Sequence, residues 1–151
     1  MNRAPELRML SEDHHHGLVH ARRLKKAALG DPEHPARATA RAFLDFWREE
    51  TSIHFRKEEE VLLPVMTRHG ADITREPLVQ MLIQHAEIRG LVMRLGDEII
   101  AGYVSPEIPQ ELGKRLEEHI HLEERVVFPL VEESLSGPAL AELAVRLDDR
   151  E

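Results

Sequence analysis

The sequence contains no cysteine among its 151 residues. Disulfide bonds, thiolate-bound metals, cysteine-ligated iron–sulfur clusters and cysteine nucleophiles are therefore excluded for this chain. Aromatic residues are also scarce, at 4% of the chain, so a hydrophobic core must be built from Leu, Val, Ile and Ala. Any metal site in this sequence therefore has to do without thiolate ligands.

Basic tracts and long apolar runs are equally lacking. The formal net charge is −8 and the Lys and Arg residues are scattered among acids, which argues against a nucleic-acid partner. The first ten residues, MNRAPELRML, lack the apolar region of a signal peptide, and no segment approaches membrane-spanning length. We therefore expect a cytoplasmic protein without a nucleic-acid or membrane partner, and leave its oligomeric state open.

Helical periodicity runs through nearly the whole chain, and no alternating run indicates a strand. Together with the length, this predicts an all-α fold and a single domain over residues 1–151. We expect an antiparallel up-and-down four-helix bundle with a short C-terminal fifth helix. The predicted core bundle covers about residues 5–134, and the C-terminal helix covers about residues 137–148.

Histidine is the residue type in excess, with ten in the chain, and it occurs in a repeated motif. HFRKEEEVLLP at residues 54–64 returns as HIHLEERVVFP at residues 119–129. In both copies a His is followed four residues later by Glu, with a second Glu beside it and a Pro ten positions after the His. The first and third predicted helices carry histidines in DHHHGL and QHAEIR.

The spacing of the motif places its His and its Glu on one face of a helix. Residues at i and i+4 lie one turn apart, so each motif His can point into the bundle together with its Glu. Buried imidazoles and carboxylates are costly unless they are paired or bind a metal. About four His and two Glu would suit two cations with bridging carboxylates, and iron, manganese and zinc all accept these ligands. A single such motif, by contrast, is usually an exposed His beside a Glu.

The first-helix histidine is ambiguous from the residues alone. His14 continues the apolar stripe through Leu10 and Leu18. His15 has Leu18 three residues later, as His85 has Ile88. His16 should point away from the bundle. We expect four further histidines at the surface, of which the first and last could support the ligands: His20, His34, His69 and His121.

Two prolines close the repeated motifs. Pro64 and Pro129 each lie less than two turns after the motif Glu, inside a predicted helix. Each removes a helical hydrogen bond and should kink its helix near the site. The alternative is that each proline simply ends its helix.

Four segments in the order EDHHHGL, HFRKEEEVLLP, QHAEIRGL and HIHLEERVVFP resemble the hemerythrin-like, or HHE cation-binding, family. The resemblance extends to about Glu133. It implies a four-helix bundle that holds two iron ions, oxo- or hydroxo-bridged, with manganese or zinc not excluded. The family pattern has an aliphatic residue three positions after its first His, which favours His15, with His14 as the alternate. The implied metal ligands are His15, His54, Glu58, His85, His119 and Glu123.

One departure from the oxygen-carrying hemerythrins bears on function. Their further His, four residues after the third-helix ligand, is Arg89 here, and their acid five residues after the fourth-helix His corresponds to Glu124 rather than Glu123. Four His and two bridging Glu fill about eight of roughly twelve positions around two six-coordinate metals. The resemblance therefore implies an open site that binds O2, NO or peroxide, or that handles or senses iron.

Two other functions compete with this hypothesis. The first is a di-iron peroxidase or catalase-like activity, or an activity in the repair of iron centres. The second is a metal-free helical interaction module with polar surface histidines. We favour a metal and small-molecule binding protein over a dedicated enzyme.

Overall fold

Helices account for almost all of the described structure, which covers residues 3–148. The computed structural model begins with a 3₁₀ turn at Pro5–Leu7 and has no strand within residues 3–148. The predicted unit also includes residues 1–2 and 149–151, which lie outside the described residues. The five helices of the described part are α1 (Arg8–Ala28), α2 (residues 36–68), α3 (Glu76–Ala101), α4 (residues 107–134) and α5 (Gly137–Asp148).

The four long helices pack as a ring. Helix α1 packs against α2 and α4, and α3 packs against the same two helices. The connections are short, at residues 29–35, 69–75 and 102–106, so consecutive helices run in opposite directions. Helix α5 packs across one end of the bundle, against the Pro5–Leu7 turn and the last third of α2. The all-α helical bundle predicted from the sequence is confirmed.

Glycines end the first three helices where the sequence predicts a break. Gly30, Gly70 and Gly102 have φ angles of 81°, 82° and 87°. This left-handed region is strained for residues with a Cβ but not for glycine, so the chain can leave each helix here. Among the described helices, none is both long and apolar enough to cross a membrane.

A layer of polar side chains divides the interior of the bundle into two apolar clusters. The first cluster lies between α5, the beginnings of α1 and α3, and the ends of α2 and α4. The second cluster lies between the remaining parts of the four long helices. The larger buried residues of the first are Leu7, Leu10, Leu62, Met66, Leu78, Met81, Phe128, Val131 and Leu143. Those of the second are Leu24, Phe43, Phe46, Phe55, Ile88, Leu95, Leu112, Leu116 and Ile120.

Wide helical turns precede both motif prolines. The N–H of Leu63 donates to the carbonyl of Glu58, five residues back, and the N–H of Phe128 donates to the carbonyl of Glu123 in the same way. A proline inside a helix clashes with the carbonyl four residues before it, and the wider turn relieves that clash. Both helices therefore continue past their prolines, and the alternative in which the prolines end the helices does not hold.

Candidate metal centre

Six side chains with metal-binding groups meet in the polar layer between the two apolar clusters. Each long helix contributes one histidine, and α2 and α4 each add a glutamate one turn after their histidine. All six are buried, and the two glutamates are fully buried at 0% exposure. The six residues are His14, His54, Glu58, His85, His119 and Glu123.

The six side chains form two overlapping groups. One group combines His14 and His54 with Glu58 and Glu123, and the other combines His85 with His119 and the same two glutamates. Within each group one ligand atom per residue lies within 4.8 Å of all the others. A carboxylate has two oxygens, so a glutamate common to both groups can bridge two cations. The arrangement offers two cation positions with two shared carboxylates.

Short contacts connect the imidazoles to the shared carboxylates. Nε2 of His54 lies 3.1 Å from Oε2 of Glu58, and Nε2 of His119 lies 2.9 Å from Oε2 of Glu123. Between helices, Nε2 of His85 lies 3.1 Å from Oε1 of Glu58. Every Nε2 atom is therefore directed toward the same small volume.

Oε1 of Glu123 is hydrogen-bonded to Nε2 of His14 and His54, but most of the other short contacts in the cluster are not hydrogen bonds. Both oxygens of Glu58, one oxygen of Glu123 and Nε2 of His85 and His119 are buried without a hydrogen-bond partner, because the angles are unsuitable despite the short distances. A buried carboxylate without such partners is strongly destabilising. Lone pairs that converge on a common point fit a cation, and the nitrogen and oxygen donors match those of divalent transition metals.

An outer ring of acceptors holds the four imidazoles. On α1 and α3, Nδ1 of His14 lies 3.0 Å from Oε2 of Glu124, and Nδ1 of His85 lies 2.7 Å from Oε2 of Glu59. These acceptors come directly after the shared glutamates in the sequence. Donation from Nδ1–H leaves the lone pair of Nε2 free to face the cluster.

The imidazoles on α2 and α4 are held in a related way. Nδ1 of His54 lies 3.0 Å from Oδ2 of Asp13, and Nδ1 of His119 lies 2.8 Å from Oε1 of Gln84. Asp13 and Gln84 directly precede His14 and His85, so each half of the chain contributes its acceptors at the same offsets. Three of the four acceptors are carboxylates and the fourth is an amide.

Protons can occupy this centre when no cation does. Burial lowers the pKa of His14, but its contacts with Glu123 and Glu124 outweigh burial and raise the pKa to about 8. Burial likewise acts against the proton on His85, and Glu123 and Glu58 together raise its pKa to about 9. Since a metal ligand has to be a neutral imidazole, a cation must displace these protons.

Two more groups of the cluster, His54 and Glu123, have pKa values set by the same competition between burial and neighbouring charges. Burial opposes charge on His54, yet the charge of Glu58 and the contact with Asp13 hold its pKa well above the usual value. Burial also opposes charge on Glu123, but the neighbouring His119 and His14 hold its pKa well below the usual value. Glu123 is therefore anionic at any physiological pH.

The first-helix residue differs from the one favoured by the sequence. His14 lies in the polar layer, with Nε2 2.7 Å from Oε1 of Glu123, whereas His15 is exposed. Adjacent helical residues are rotated by about 100°, so only one of the two can face the bundle. The expected aliphatic residue three positions on is replaced by Gly17, because a Cβ there would lie 2.8 Å from Cδ1 of Ile120.

Arg89 lies outside the cluster. Its guanidinium is 3.2 Å from Oε2 of Glu59 and lies over the rings of Trp47 and Phe55, 5.7 Å from each centroid. The position that could have supplied a fifth histidine therefore supports the carboxylate that holds His85.

The remaining histidines make contacts away from the centre. His20 stacks on Phe46 with the ring centroids 4.0 Å apart and is not among the groups that hold the ligands. His16, His34 and His69 each lie beside an acidic side chain, and His121 is partly buried.

Sequence reasoning missed the outer ring as a set. Asp13 and Gln84 were not singled out, and Glu59 was noted only as a second glutamate in the motif. A signal was present, since both copies of the motif have two consecutive glutamates and each remaining acceptor directly precedes a buried histidine. Their pairing with particular imidazoles depends on contacts between helices.

A small cavity of about 20 Å³ lies against the cluster, beside His14, His54 and His119. This volume accommodates one water-sized or diatomic molecule. Gly17 and Ile120 line it, and their counterparts in the repeated segments are Ile88 and Phe55. Phe55 stacks on His85 and also lines the cavity, and Ile88 is fully buried, so the cavity borders His14, His54 and His119 but not His85.

Comparison with known proteins gives one match. The family model described as Hemerythrin HHE cation binding domain matches residues 6–131. Searches of curated proteins and of solved structures found no significant match.

Proposed function

The chain belongs to the Hemerythrin HHE cation binding domain family, and on this premise we propose that it is a non-haem di-iron protein that binds O2, NO or peroxide. The proposed ligands are four histidines and two bridging glutamates, with His14 in place of His15. They are His14, His54, Glu58, His85, His119 and Glu123.

The observation that carries this proposal is the set of buried donor atoms without hydrogen-bond partners around Glu58 and Glu123. In a metal-free interaction module, protonated imidazoles would be the only partners of these carboxylates, and both oxygens of Glu58 would still lack a hydrogen bond inside the bundle, which is costly for a buried charge. Two cations that share both carboxylates satisfy all the donor atoms at once. The absence of thiolates favours iron or manganese over softer metals, and zinc fits the same donors.

When bound, two iron ions would supply exchangeable coordination positions and a reversible change of oxidation state. The protein supplies the environment for this chemistry. Glu58 and Glu123 balance the positive charge, and the outer acceptors fix the imidazole rings. Phe128 stacks on His14 and Phe55 stacks on His85, with interplanar angles of 8° in both pairs, so apolar rings cover the outer faces.

The cavity beside His14 and His54 favours a small-molecule ligand. Its volume of about 20 Å³ suits a molecule as small as O2, NO or peroxide. Its lining is mostly apolar, with Phe46, Ile120 and Leu116 among the contributing residues. An uncharged diatomic molecule can enter such a space without losing strong interactions with water.

Elemental analysis of protein expressed in iron-supplemented medium, with a visible spectrum of the same sample, tests the proposal. We expect about two irons per chain and absorption from a bridged iron pair. The His14→Ala variant should lose iron from one position, and His15→Ala is the matched control that should keep both. Retention of both irons in His14→Ala, with loss in His15→Ala, would reverse the first-helix assignment.

Three further results decide between the hypotheses. Titration of the reduced protein with NO should change the visible spectrum with a defined stoichiometry. Peroxide consumption over many turnovers at constant iron content would favour the peroxidase alternative. Protein without metal, whose stability is unchanged by His54→Ala, would favour the interaction module.

A further inference from the structure

We propose that Gln84 makes the two cation positions unequal, so that the position at His14 and His54 fills first and holds its cation more tightly than the position at His85 and His119. This inference rests on the proposed two-cation centre. It concerns the order in which the positions fill and the residue that sets this order.

The two positions have the same donors but not the same outer ring. Asp13 accepts from Nδ1 of His54 and Gln84 accepts from Nδ1 of His119, at similar distances of 3.0 and 2.8 Å. Both acceptors directly precede the buried histidine of their own helix, so they occupy corresponding places in the two halves. The geometry is matched, and the difference is one negative charge.

That charge acts on the cation through the imidazole. A carboxylate that accepts from Nδ1–H shares the proton and increases the electron density on Nε2, whereas an amide does so much less. Loss of such an outer partner reduces metal affinity by roughly 10–100-fold in known sites. The position with two carboxylate-held imidazoles should therefore bind more tightly than the position with one.

The nearby arginine side chains also favour tighter binding at the His14 position. Arg89 lies 3.2 Å from Oε2 of Glu59, the one outer carboxylate beside the His85 position, and offsets part of its charge. Nη2 of Arg3 donates to the backbone carbonyl of Glu124 at 2.6 Å and stays 4.0 Å from its Oε1, while Nη1 donates to the carboxylate of Glu132 at 3.0 Å, which balances the charge of Arg3. The His14 position thus retains more of its negative charge.

Zinc titration of the metal-free protein against a competing chelator tests this inference without any redox activity. Repulsion between two bound cations also weakens the second step, so the test compares variants and not the two steps alone. Gln84→Glu should strengthen the second step on the order of 10–100-fold and leave the first almost unchanged. Asp13→Asn should weaken the first step by a similar factor.

Gln80→Glu is the matched control, because it adds the same charge one turn away on the exposed face of α3. Circular dichroism of each variant checks that the bundle is intact. If Gln84→Glu fails to fold, Asp13→Asn decides alone. A strengthened first step in Gln84→Glu, or changes no larger than those of Gln80→Glu, would overturn the inference. The proposed function fails separately, if the wild-type protein binds no metal.

Discussion

The two halves of the candidate metal centre present the same types of side chain in different surroundings. The open half contributes both of its histidines, His14 and His54, to the wall of the cavity, whereas the closed half contributes His119 but not His85. Both halves share Glu58 with Glu123. A repeated motif can therefore preserve a ligand set while its neighbours determine which half a small molecule can reach.

Three substitutions between the repeated segments make the halves different. Gly17 in the open half corresponds to Ile88, and Ile120 corresponds to Phe55, so side-chain volume is lost on the open side. Asp13 corresponds to Gln84, so negative charge is lost on the closed side. The open half thus has smaller neighbouring side chains and more negative charge than the closed half.

The largest effect is expected from removal of what the halves share. Glu58→Ala should abolish metal binding in both halves, because each position loses a bridging carboxylate, whereas His85→Ala should affect the closed half alone. Metal content per chain after dialysis measures this, with a fall from about two to near zero for Glu58→Ala. Glu60→Ala, at an exposed position in the same run of glutamates, is the control. Full metal content in Glu58→Ala would contradict the shared-bridge arrangement.

The second-largest effect is expected on the pH dependence of stability, to which one histidine of each half contributes. The raised pKa values of His14 (about 8) and His85 (about 9) mean that protonation stabilises the metal-free fold. This contribution is complete below the unfolded-state pKa near 6.5 and is lost as pH rises through 8 and 9. We expect the free energy of unfolding of the metal-free protein to fall from pH 6.5 to 9, with His14 contributing on the order of 2 kcal/mol.

Chemical denaturation at a series of pH values measures this loss. His14→Gln should flatten the part of the profile near pH 8, and the exposed His16→Gln should not. Metal affinity should change in the opposite direction and rise over the same range, because cations compete with these protons. A metal-free stability that is constant from pH 6.5 to 9 would show that the histidines are not held as charged partners of the glutamates.

The smallest effect comes from closing the open half. Gly17→Ala places a methyl group 2.8 Å from Cδ1 of Ile120 and reduces the cavity. We expect NO affinity to fall about tenfold, or about 1.4 kcal/mol, with metal content unchanged. Gly90→Ala is the control, because its Cβ would meet no atom within 4 Å. Unchanged NO affinity in Gly17→Ala would mean that the ligand approaches elsewhere.

The sequence predicts well those features that depend on local spacing. The helices follow from hydrophobic periodicity, and the four side chains on α2 and α4 follow from the repeated motif. The ends of α1, α2 and α3 follow from Gly30, Gly70 and Gly102. Each of these is decided within one or two helical turns, which a sequence pattern describes directly.

Features that depend on contacts between helices were predicted less well. His14 and His15 could not be separated by spacing, because they differ in contacts with other helices, such as that of His14 with Glu123 on α4. The outer acceptors likewise meet imidazoles on other helices. The assignment of all six side chains as metal ligands stays a prediction until metal content is measured.

The polar layer also has a consequence for how the protein unfolds. It separates the cluster around Phe128 from the cluster around Phe43, so each apolar cluster is smaller than a core of a chain this size would otherwise be. Without cations, the two clusters are joined by a layer of charged groups, and either end can open locally at less cost. With cations bound, six ligands from all four helices are fixed together. We therefore expect metal loading to convert two weakly coupled cooperative units into a single one.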